Sequence, residues 1–186
     1  MSIPTRPIIL AGIKHCGKST IGQLLARHWH APFVDTDSEI EKEFHRQTGQ
    51  HAKIREIYLA VGEEKFRRAE EKVIGVLADM PGFKVIALGG GAVDNRFVDM
   101  ELLRKLGFGI WLDIAPEIAY ARIVRRGLPP FLASATDPQE EFQKICKQRE
   151  ARFQLFAELR FPIKQEIPAA EVAGKIADLI EKGVKS

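Results

Sequence analysis

The chain has 186 residues, 45% of them hydrophobic and 28% charged, with a formal net charge of +3. These values are ordinary for a soluble globular protein, and the length suffices for one domain with a full core. No stretch approaches membrane-spanning length, the start Met-Ser-Ile-Pro-Thr-Arg-Pro lacks an apolar signal core, and the basic residues are scattered without aromatic interleaving, so neither a membrane nor a nucleic acid is an expected partner.

The first element is a short apolar strand, Ile8–Ala11. Directly behind it runs Gly12-Ile13-Lys14-His15-Cys16-Gly17-Lys18-Ser19-Thr20, which is G-x-x-x-x-G-K-[ST]. A buried strand, a tight loop and a helix opening at Lys18 form the context that pattern requires. Loop and helix-terminal N–H groups converge there on an anion. Lys18 would reach the terminal phosphates of a nucleoside triphosphate, and the Ser19 hydroxyl would hold Mg²⁺. Cys16 sits inside this loop and Cys146 far downstream, a spacing that suits neither a metal nor a redox pair. Reduced thiols and a cytoplasmic location are expected.

A helix over Thr20–Trp29 leads to a second strand at Phe33–Val34, followed by Asp35-Thr36-Asp37. On an extended chain both carboxylates project to one side, one towards the metal and one towards an attacking hydroxyl. One aspartate could equally cap the helix expected over Ser38–Arg46. Some fifty residues separate the second and third strands, enough for two or three helices. Among them is Glu63–Ala78, with Phe66, Ala69, Val73 and Leu77 as its buried stripe. Arg67 stands three residues before Glu70, so the two can pair along the helix. The pair reads either as a surface ion pair or as an oriented fork for a substrate carboxylate.

The third strand, Lys84–Leu88, ends in Gly89-Gly90-Gly91, which would let backbone approach a ligand closely. A helix over Arg96–Lys105, a strand at Phe108–Leu112 and a helix over Pro116–Arg125 follow. The proline-rich run Gly127–Pro138 has the length of a lid or binding loop. A last strand, Phe161–Ile163, precedes a helix over Ala169–Glu181 with Val172, Ile176, Leu179 and Ile180 on one face. Strand–helix alternation at this spacing predicts an α/β fold, a five-stranded parallel sheet covered on both faces as a three-layer α/β/α sandwich. One domain spans residues 1–186, with inserts over about 38–80 and 127–138. Ligands of such sheets bind beyond the carboxyl ends of the strands.

In order, the phosphate loop with Ser19–Gly22, Asp35-Thr36-Asp37 before Ile40-Glu41, Gly62-Glu63-x-x-Phe66-Arg67-x-x-Glu70, Leu88-Gly89-Gly90-Gly91-Ala92 and Arg149-x-x-x-Phe153-x-x-x-Ala157 resemble the shikimate kinase family. That family is a branch of the nucleoside-monophosphate-kinase group of phosphate-loop folds. The resemblance implies ATP-dependent phosphorylation of the shikimate 3-hydroxyl with Mg²⁺ by a monomer. It implies that Gly12 to Thr20 cradle the nucleotide, with Arg122 and Pro168 at the adenine, and that Ser19 and Asp35 serve the metal. Lys18 and Asp37 would be catalytic, Asp37 as general base. Arg67 and Arg149 would hold the shikimate carboxylate beside Gly89, Gly90 and Gly91.

Two positions depart from the family. The lid's Arg-Pro-Leu-Leu is here Pro129-Pro130-Phe131-Leu132, so the arginine that stabilises transferring charge is a proline, with Arg125 or Arg126 as candidate substitutes. His15 stands where glycine is usual. Two other readings stay open: a gluconate-type or other small-molecule kinase, and a nucleotide-binding homologue with weak catalysis.

Overall fold

The computed structural model describes residues 4–183, with backbone alone for Pro130 and Phe131. Five strands form one all-parallel sheet: β1 (Ile8–Ala11), β2 (Phe33–Asp35), β3 (Val85–Ala87), β4 (Phe108–Ile114) and β5 (Leu159–Ile163), in the order β2-β3-β1-β4-β5. β1 and β3 read as continuous aliphatic runs because helices cover both faces; Ile8 to Leu10 and Val85 to Ala87 are almost wholly buried. After β2 the chain returns beside β1 as β3 and then crosses to its other side as β4. The carboxyl ends of β1 and β3 therefore open a crevice at the switch point.

Helix α1 (Lys18–His28) packs against the C-terminal helix α9 (Ala169–Gly183). Helix α5 (Met100–Leu106) packs against both α4 (Glu63–Asp79) and α8 (Pro138–Phe156), with α8 also against β4. Between β2 and β3, helices α2 (Thr36–Thr48) and α3 (Ile54–Val61) join the start of α4 around a separate small core of Ile40, Ile57 and Phe66. Helix α6 (Pro116–Arg126) leads into a four-residue turn of helix, α7 (Pro130–Ala133), which packs on α8.

Several expectations shift. The stripe of α4 runs through Phe66, Glu70, Ile74 and Leu77, whereas Ala69 and Val73 are half-buried, because the helix is rotated to bring a carboxylate inward. Helix α5 starts at Met100 rather than Arg96, since the Asp99 carboxylate accepts from Leu102 N at 2.7 Å and caps it there. Leu179 is 48% exposed; the inner face of α9 is Val172, Ala173, Ile176, Ala177 and Ile180. Helix α3 is one of the two or three helices expected between the second and third strands; its bounds are not legible in the pattern, because its eight residues bury only Ile57 fully and leave Leu59 in solvent. Among the described residues no helix is long and apolar enough to cross a membrane.

Candidate active site

A cleft of about 1350 Å³ lies beyond the carboxyl ends of the strands. That exceeds the volume of an ordinary single-ligand pocket. Residues Ile13 to Ile21 form one wall, with Asp35, Asp37, Phe66, Arg67, Glu70, Gly90, Gly91 and Arg149 along another. Arg122, Arg125, Arg126, Pro129, Glu166 and Ile167 complete it.

The phosphate loop has the geometry its glycines demand. Gly12 has φ +149°, and a Cβ there would lie 2.7 Å from Leu112 O; Gly17 has φ +99°. His15 adopts φ +65°, the left-handed region, which explains why this position favours glycine. Its imidazole is pushed down to about 4, first by burial and then by Lys14, Arg126, Lys18 and Arg122, so it is neutral at physiological pH. Lys18 Nζ donates to Gly12 O at 2.9 Å and Ile13 O at 3.1 Å, curled back over the loop it would leave for a phosphate.

Asp35 and Asp37 do not share one side of an extended chain, because the helix begins between them. Asp35 ends β2 and caps α2, its Oδ1 accepting from Asp37 N at 3.1 Å. Its Oδ2 accepts from Ser19 Oγ at 2.6 Å, so one carboxylate both caps and meets the phosphate-loop hydroxyl. Two hard oxygens at the mouth of an anion site are the donor type Mg²⁺ takes alongside water and phosphate oxygens. Asp37 lies in the first turn of α2 and is pushed up to about 6, by burial first and then by Asp35 and Glu70.

Arg67 Nη1 donates to Glu70 Oε2 at 2.9 Å. Glu70 is 1% exposed, so this is a buried anchor rather than the surface pair that the spacing alone allows. Burial raises the Glu70 pKa, and the Arg67 guanidinium opposes that rise. Arg149, half-buried on α8, donates from Nη1 to Gly90 O at 3.1 Å and pairs through Nε with Asp94 at 3.6 Å. Burial lowers its pKa, Asp94 opposes that, and Arg67 adds to the lowering, so the two guanidinium groups bear on one region.

Gly90 and Gly91 line the cleft, and the glycines also make room for the protein's own side chains. A Cβ on Gly89 would lie 2.5 Å from Asp37 Oδ1 and 2.9 Å from Glu70 Oε1; one on Gly91 would lie 2.6 Å from Arg67 Nη1. The N–H of Gly89 donates to the buried Thr36 hydroxyl at 2.8 Å rather than to a ligand. Gly89 and Gly91 are small because the protein's own charged side chains occupy that space. A Cβ on Gly90 would meet nothing closer than 3.7 Å.

On the nucleotide side, Arg122 donates from Nη1 to His15 O at 3.0 Å and forks onto Glu166 through Nε and Nη2. Glu166, in the loop after β5, was not singled out by the sequence; a bidentate partner for Arg122 is visible only once β5 and α6 are adjacent. Pro168 is exposed and holds the start of α9, its carbonyl accepting from Glu171 N and Val172 N. Ile167 and Ala169 on either side of it line the cleft. Pro129 is buried and Leu132 fully so, which fixes the lid segment to the main core. Arg125 and Arg126 diverge: Arg126 bears on the phosphate-loop His15, Arg125 on Glu166.

Comparison with known proteins agrees with this geometry. The shikimate kinase family model matches residues 14–181. The shikimate kinase of Symbiobacterium thermophilum is 36% identical over 181 residues, covering 95% of this chain and 99% of that protein. That of Aeromonas salmonicida is 37% identical over 176 residues, covering 94% and 96%. The solved structure of shikimate kinase from Acinetobacter baumannii in complex with shikimate superposes with a TM-score of 0.81 at 29% identity, covering 96% of this chain and 94% of that one. The chain belongs to the shikimate kinase family.

Proposed function

We propose that the protein transfers the γ-phosphoryl group of ATP to the 3-hydroxyl of shikimate, giving shikimate 3-phosphate and ADP. The observation that carries this reading is the convergence of Arg67, Arg149 and Asp37 on one wall of a cleft whose other wall is the phosphate loop. Two arginines suit one carboxylate, and a carboxylate tuned to about 6 suits a hydroxyl.

In this reading the triphosphate lies against the N-terminus of α1, and Lys18 swings from the loop carbonyls onto the β- and γ-phosphates. Ser19 and Asp35 would hold Mg²⁺, which would neutralise phosphate charge there. The shikimate carboxylate sits between Arg67 and Arg149, leaving a ring hydroxyl at Asp37. Asp37 takes the hydroxyl proton as the oxygen attacks the γ-phosphorus. Phosphoryl transfer depends mostly on positioning and charge stabilisation. With proline at 129, Arg126 supplies the lid-side cation, since its field reaches the phosphate loop. The enzyme acts as a cytoplasmic monomer, with the segments around 38–80 and 127–138 as substrate-binding and lid inserts of one domain.

The test is product identification: purified protein, ATP, Mg²⁺ and shikimate, analysed by ³¹P and ¹H NMR. A phosphate ester at the 3-position supports the reading; an ester elsewhere, or none, refutes it.

A further inference from the structure

We propose that Asn95 is a positioning residue for the substrate-carboxylate clamp, holding Arg67 at both ends of its side chain. The inference rests on the shikimate kinase reading above and deepens it. Asn95 follows the short 3-10 turn Ala92–Asp94 after the triple glycine and is 1% exposed. Its Nδ2 donates to Arg67 O at 2.7 Å and to Glu70 Oε2 at 3.0 Å. Glu70 Oε2 is also the atom that Arg67 Nη1 grips. One amide group thus fixes the backbone of Arg67 directly and its guanidinium through one carboxylate.

The orientation of the amide is settled by its other end. Asn95 Oδ1 accepts from Phe97 N at 2.9 Å, so the NH₂ group must face Glu70. The Phe97 ring is in turn held between the guanidinium groups of Arg68, 4.2 Å from its centroid, and Arg96, 4.8 Å away. Arg68 belongs to α4, and Arg96 pairs with Glu64 of the same helix at 3.7 Å. The segment from Asn95 to Phe97 therefore laces the exit of β3 to α4 and sets Arg67 against Gly91.

Every hydrogen-bonding group of Asn95's side chain is used, and two of its three bonds end on the clamp. A residue needed for the core alone would be apolar here, since a buried amide contributes only when satisfied. Glu70 is faced by Arg67 from its own helix, Asp37 from α2 and Arg149 from α8. With the Asn95 donor removed, Glu70 takes up a proton more readily. A neutral Glu70 grips Arg67 less, so the clamp loosens most in acid.

Steady-state kinetics of Asn95→Ala and Asn95→Ser test this, with shikimate varied at saturating MgATP between pH 6 and pH 8. ADP binding and thermal melting are followed on the same samples. The expected result is a KM for shikimate raised about tenfold at neutral pH, with ADP affinity unchanged. The increase is larger at pH 6 than at pH 8, and the serine variant, which keeps a donor, loses less. In a Glu70→Gln background, removing Asn95 raises the KM less than it does in the wild type, because only its direct bond to the Arg67 carbonyl is then left to lose. A KM increase that is independent of pH and equal in both backgrounds overturns the proposal, as does an unchanged KM in a folded Asn95→Ala protein. If the wild type fails to phosphorylate shikimate, the functional reading itself falls, which the wild-type control reports separately.

Discussion

Changing Arg67 to Ala tests two consequences of one buried ion pair. The first is recognition. A charge-assisted hydrogen bond contributes about 1.5–3 kcal/mol, so shikimate affinity should fall roughly ten- to a hundredfold. ADP affinity should hardly move, because the proposed nucleotide site is the phosphate loop, which Arg67 does not contact among its described bonds. The second is stability. Glu70 is 1% exposed and Arg67 is its main cation, so the variant leaves a buried carboxylate uncompensated. Removing one partner of a buried pair costs about 3–5 kcal/mol when the other stays charged. Here proton uptake by Glu70 limits the loss.

The sign with pH follows. In the variant the folded-state pKa of Glu70 rises further above its unfolded value. Relative to the wild type, the destabilisation is then absent in acid, grows as pH rises past the wild type's own raised folded-state pKa, and levels off above that of the variant. Melting temperatures of wild type and Arg67→Ala should nearly coincide near pH 4.5 and separate by roughly 5–10 °C at pH 8. Isothermal titration with shikimate and with ADP, beside melting scans across pH, covers both arms. Equal weakening of both ligands, or a melting gap that does not depend on pH, would refute the reasoning.

Asp37→Asn keeps the shape but removes the base, so kcat should fall about 10²-fold or more with ATP affinity little changed. In the wild type, kcat should fall as pH drops below about 6, where Asp37 becomes protonated; a flat acid limb would count against it. Asp35→Asn retains an oxygen for the Asp37 N–H, so helix α2 should survive while the Mg²⁺ concentration for half-maximal activity rises; an unchanged Mg²⁺ response would remove Asp35 from the metal site. Arg126→Ala should lose far more kcat than shikimate affinity, the pattern of an interaction made in the transition state, while Arg125→Ala should not. The reverse order would reassign the lid-base cation.

The parts legible in the sequence were those in which chemistry and local spacing coincide. The phosphate loop, the five strands and the Arg67–Glu70 spacing all lie within single elements. What escaped needed two elements at once. The α4 stripe passes through Glu70, and no hydrophobicity pattern places a carboxylate inside a core; Asn95 and Arg67 explain it only when the β3 exit meets α4. What fills the space beside Gly89 and Gly91 is hidden for the same reason, since the groups that exclude a Cβ come from α2 and α4. Asp35 capping α2 while meeting Ser19 depends on the helix starting two residues earlier than the pattern suggests. Glu166 became a partner of Arg122 only through the adjacency of β5 and α6.

The central claim is the acceptor. Initial rates of ADP formation from MgATP, measured in parallel with shikimate, gluconate and nucleoside monophosphates, test it most directly. The account predicts a kcat/KM for shikimate at least a hundredfold above any other acceptor, in line with a clamp that rejects ligands lacking its carboxylate partner. Preferential turnover of gluconate or a nucleoside monophosphate, or no turnover of shikimate above the ATPase background, would contradict it.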